Sequence, residues 1–61
     1  MISVEQVLAV GHRMGVNPTD TMVEWIIFNY RPMAGVSWER QVEWLMHDAF
    51  TLELDALRET I

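Results

Sequence analysis

Apolar residues fall into three blocks, separated by two breaks, Gly15-Val16-Asn17-Pro18 and Arg31-Pro32-Met33-Ala34-Gly35. Both breaks carry the Gly and Pro punctuation of turns. In the first block Val4, Val7, Leu8, Gly11 and Met14 recur at three- and four-residue steps, which predicts a helix from about Val4 to Met14. Ser3 and Gln6 have capping-box spacing. Arg13 suits the negative helix end, and Gly15 offers a left-handed stop. Gly11 lies on the apolar stripe; a helical glycine costs up to about 1 kcal/mol, so its presence there points to a close approach by another element.

The second block predicts a helix from Pro18 to about Tyr30. Asn17 is a suitable N-cap, Pro18 fits the first helical position, and Asp20 places a carboxylate in the first turn. Pro32 disfavours helix at Arg31. Met22, Val23, Trp25, Ile26, Ile27, Phe28 and Tyr30 leave only Glu24 and Asn29 as polar interruptions, the pattern of a helix covered on more than one side. Trp25 to Tyr30 also has strand composition, but no second strand is available to pair with it.

The third block begins after Ser37, another cap, and meets no Gly or Pro before Ile61. It predicts a helix from Trp38 to about Glu59. Trp38, Val42, Leu45, Ala49, Leu52 and Ala56 form a seam of heptad character, and Phe50, Leu54, Leu57 and Ile61 form a second stripe. Such a helix is about 33 Å long, against about 18 Å for each of the other two. Its C-terminal half is the more apolar half, and leaving it in water would forfeit about 1.5–3 kcal/mol per large side chain. The expectation is an all-α, single-domain chain (1–61) of three helices, dimeric through the long third one. The competing arrangement is a break near Thr51 that folds the tail back into a four-helix monomer.

Composition narrows the function. The chain has 61 residues, no Cys, four Arg, no Lys and nine acids, for a net charge of −5. Disulfides, thiolate zinc sites and cysteine nucleophiles are excluded. No apolar run approaches the roughly 18 residues of a membrane span, and Met1 to Glu5 lack a basic leader; a cytoplasmic protein is expected. The acidity repels phosphate backbones and favours basic or apolar partners. Glu43, His47 and Asp48 are too few for a metal site unless the fold brings His12 close. No nucleophile–base pair or phosphate loop is present, so neither enzyme activity nor a cofactor is expected. The methionines serve as core filler or as an adaptable binding surface. Trp44 projects away from the seam among Arg40, His47, Asp48 and Thr51, either as an interface anchor or stacked under Arg40.

Two resemblances carry implications. His12 to Trp25, with Gly11 and Gly15 in the small-residue and turn positions, resembles a helix-turn-helix, which implies DNA reading. The apolar pair comes one residue late, however, and the would-be recognition helix offers Thr19, Asp20, Thr21 and Glu24 with no cation. Met14-Gly15-Val16 with Val42-Glu43-Trp44-Leu45 resembles a ubiquitin-associated domain, with a longer spacing and no loop aromatic.

The sequence reading is a small acidic protein-binding module: an inhibitor, adaptor or assembly factor, of a kind encoded by phages. It would dock Trp44, Phe50, Leu54, Leu57 and Ile61, rimmed by Glu43, Asp48 and Asp55, onto a protein target with a basic surface. A structural subunit of a homo-oligomer and a helix-turn-helix-like nucleic-acid binder are the alternatives.

Overall fold

The computed structural model describes residues 1–52. They form three helices, α1 (Val4–Arg13), α2 (Asp20–Asn29) and α3 (Trp38–Leu52), each packed on the other two. The described residues include no strand, and the β-rich run from Trp25 is helical up to Asn29. The third helix is continuous from Trp38 to Leu52, and the alternative in which the tail folds back lies outside the described residues. Its expected continuation to Glu59, together with Leu54, Asp55, Leu57 and Ile61, lies outside the described residues.

Local hydrogen bonding explains where the helices start and stop. Ser3 Oγ accepts from the Gln6 N–H (3.2 Å) while Gln6 Oε1 accepts from the Ser3 N–H (2.8 Å), a complete capping box. At the other end of α1, the Gly15 N–H donates to His12 O and the Val16 N–H to Gly11 O. Gly15 sits at φ +80°. This is the Schellman arrangement, and a residue without a Cβ adopts it freely.

The start of α2 differs from the sequence expectation. Thr19 is the cap, its hydroxyl accepting from the Met22 N–H at 3.3 Å; Asn17 and Pro18 lie outside the helix. The reason is tertiary. The Pro18 ring is pressed against Gly11, so close that a Cβ there would stand 2.9 Å from Pro18 Cδ and 3.3 Å from Met46 Cε. The proline therefore closes the turn onto α1, and the next cap-forming side chain opens α2. The close approach that Gly11 signals is thus a three-way contact between α1, the turn and α3.

No glycine stops α2. The Arg31 guanidinium instead donates from one nitrogen, Nη1, to Phe28 O (2.9 Å) and Tyr30 O (2.7 Å), and Asn29 Nδ2 donates to Trp25 O (2.8 Å). The two Arg31 bonds satisfy carbonyls that the helix end leaves open, and the Asn29 side chain adds a second donor to a carbonyl of the last turns. The following loop turns at Met33–Val36 with Gly35 at φ +81°. Gln41 reaches it from the first turns of α3 and is only 4% exposed. With the amide assigned to the orientation that satisfies both neighbours, it donates to Arg31 O (2.7 Å) and accepts from the Met33 N–H (2.9 Å). One buried side chain thereby pins both ends of Arg31-Pro32-Met33.

The core holds Ile2, Val7, Val10, Met22, Val23, Ile26, Val42, Met46 and Ala49. Two expected stripes are corrected. On α1, Val10 is buried while Val4 and Met14 are 48% and 41% exposed, because they stand at the ends of a short helix and overhang their neighbours. On α3, Val42 and Ala49 of the seam are buried and Trp38 and Leu45 half-buried, but Met46 and Gln41 are buried in addition and Leu52 is exposed. No aromatic residue belongs to this core. Gly11, Ala49 and four valines let the helices approach closely; Trp25, Tyr30 and Trp38 pack half-buried against the edge of the core, while Phe28, Trp44 and Phe50 are exposed.

Candidate functional site

Phe28 and Trp44, two of the exposed rings, define the site. The core takes Met22, Val23 and Ile26 from α2. Glu24 and Phe28, one turn apart on the opposite arc, face outward, and Phe28 is 75% exposed. Beside it lies a groove of about 620 Å³ walled by Met1, Ile27, Phe28, Tyr30 and Pro32, with Glu24 and Arg31 also in its lining. Arg31 also lines a second groove, of about 250 Å³, formed with Met33, Trp44, Leu45 and Asp48. Met33 and Trp44 are both at least half exposed. On the far side of Trp44 is a third depression, bounded by Val36, Ser37 and Arg40. Trp44 is therefore a ridge between two hollows, and it does project away from the core. Phe28, Met33 and Trp44, each at least half exposed, thus line two grooves that share Arg31.

The charges around this surface are unevenly committed. Glu43 bridges α1 and α3, with Arg13 Nη2 at 3.3 Å and Arg40 Nε at 3.6 Å. These pairs are exposed enough to add little stability, but they occupy two of the three arginines of the described residues. The third, Arg31, is turned onto the carbonyl end of α2. Glu24 and Asp48 are exposed and form no ion pair among the described residues.

Of the side chains singled out by sequence, Trp44 and Asp48 meet in the second groove. Phe50 does not join them: six residues beyond Trp44, it lies about 120° around the helix, on the flank that carries Glu43. Leu54, Asp55, Leu57 and Ile61 lie outside the described residues. The α2 and loop contributions, Phe28, Tyr30, Pro32 and Met33, were missed by sequence. A helix apolar on every side does not announce which residue is left out; Glu24, one turn before Phe28, was the available signal.

Among the described residues no group of three metal-ligating side chains converges, and no helix is long and apolar enough to cross a membrane. The helix-turn-helix comparison finds no cation on α2, and the Thr19 hydroxyl is engaged in capping. No family model, curated protein or solved structure matches the chain.

Proposed function

We propose that the chain is a small acidic protein-binding module, an inhibitor, adaptor or assembly factor, that docks a protein target through an apolar face with an acidic rim. The observation that carries this reading is the exposure of large apolar side chains outside a wholly aliphatic and methionine core: Phe28, Met33 and Trp44 stand at least half exposed on adjoining grooves. Large aromatic anchors supply most of the binding energy at protein interfaces, and methionine adapts to varied partners. Asp48 is kept as a rim charge on this face, and Glu24 takes the place of Glu43, which is engaged by Arg13 and Arg40.

Self-association through a third helix reaching to about Glu59 is a second reading. The exposure of Phe50 and Leu52 at the end of the described α3 favours it. Sedimentation over a wide concentration range separates the two: a target-binding module sediments as a monomer when dilute, whereas a structural subunit stays dimeric.

Affinity capture from native host cells tests the primary reading. Wild type and a Phe28→Ser/Trp44→Ala variant are compared after circular dichroism has confirmed equal helicity. Each lost anchor is worth on the order of 1–2 kcal/mol, so the variant retains the target at least about tenfold less well. Equal retention of every captured protein by the folded variant removes this surface from consideration.

A further inference from the structure

The protein-binding reading leaves the chemistry of the target segment open, and the two grooves differ in a way that specifies it. The first is walled by apolar and aromatic side chains. The second sets the Trp44 ring and the Asp48 carboxylate one helical turn apart, so both face the same space, with Met33 and Leu45 as its apolar lining. Between the grooves stands Arg31, whose charge is directed at Phe28 O and Tyr30 O. Glu24 in the first groove and Asp48 in the second have no basic partner among the described residues.

Resting on the protein-binding reading, we infer that the paired grooves hold a basic–apolar segment of a partner protein, with an apolar side chain in the first groove and a lysine or arginine in the second. The aliphatic stem of that cation lies along Met33 and Leu45. Its head sits between the face of Trp44 and the carboxylate of Asp48, where ring and charge attract it together. An acidic or phosphate-bearing occupant meets the Glu24 and Asp48 carboxylates, neither in an ion pair among the described residues, while the one guanidinium of the grooves, Arg31, has its Nη1 turned onto Phe28 O and Tyr30 O. A second copy of this chain is poorly matched within its described residues as well: it has no lysine, its Arg13 and Arg40 are engaged by Glu43, and its Arg31 is held on Phe28 O and Tyr30 O.

Selection of a random dodecapeptide library displayed on phage against the immobilised full-length chain tests this even while the target is unidentified. The expected winners place Lys or Arg near a large apolar residue and are depleted in Asp and Glu. As synthetic peptides they bind Glu24→Gln/Asp48→Asn at least about tenfold more weakly than wild type, and their affinity falls as salt rises. Neutral or acidic winners that still require Phe28 and Trp44 overturn the charge assignment while leaving the protein-binding reading in place. So does binding to the charge variant within about twofold of wild type. No enrichment over Phe28→Ser/Trp44→Ala overturns both.

Discussion

Gly11→Val is expected to cost about 3 kcal/mol or more and to leave the protein largely unfolded near body temperature. The first added carbon alone would stand 2.9 Å from Pro18 Cδ and 3.3 Å from Met46 Cε. Met46 Cε ends a flexible side chain and yields easily. The pyrrolidine ring is stiff, so relief requires the turn to back away from α1. Overpacking typically costs about 1–3 kcal/mol and occasionally more, and valine places two further methyls beyond a carbon that already has no room. Gly11→Ala decides between packing and propensity. If only helix propensity mattered, alanine would stabilise α1 by about 1 kcal/mol. The contact predicts the opposite sign, a net loss of about 1 kcal/mol and a fall of about 4–8 °C in the midpoint of a domain this small. Thermal unfolding followed at 222 nm reads both variants; a higher midpoint for Gly11→Ala contradicts the tight three-way contact.

Gln41→Leu should lower stability by about 1–3 kcal/mol, since it removes both bonds that the buried Gln41 amide makes to the loop, each worth about 0.5–1.5 kcal/mol. Water reaching the loop and the apolar gain of leucine reduce the loss but do not reverse it. Gln41→Glu separates the two bonds. A carboxylate still accepts from the Met33 N–H but repels Arg31 O, and only its protonated form donates there. Folding therefore raises the carboxyl pKa of this variant. Its deficit against wild type is smallest at acid pH and grows as pH rises through the folded-state value. Urea denaturation of the three proteins between pH 4 and 7 checks the magnitude and the sign. A pH-independent deficit contradicts the paired arrangement. Because Arg31 and Met33 line the grooves, the same substitution should weaken target binding at temperatures where the helices persist.

Much of this fold is written in short-range rules. Ser3 with Gln6, Gly15, and Ser37 with the Arg40 N–H are bonds between residues three or four apart, so the sequence places those helix ends correctly. Thr19 displaced Asn17 as a cap because of where Pro18 packs, a relation between distant parts of the chain that no local pattern encodes. Gln41 was invisible for the same reason: its partners are backbone groups eight to ten residues earlier, and backbone groups carry no sequence signature. The site was half legible. Trp44 stood out because the seam defined the inner face of α3. On α2 no such contrast existed, and Phe28 became identifiable only once Met22, Val23 and Ile26 were seen to be taken by the core.

The aromatic surface joining α2 and α3 is where another polypeptide is expected to sit, and crosslinking inside the native host measures its occupancy. A photoreactive benzoyl-phenylalanine is installed at Met33 and, separately, at exposed Ala9 on α1. Irradiation should attach a second protein to the chain labelled at residue 33 and leave the chain labelled at residue 9 unmodified. Adducts at residue 9 with none at residue 33 would place the partner on α1 and contradict the assignment of the binding face.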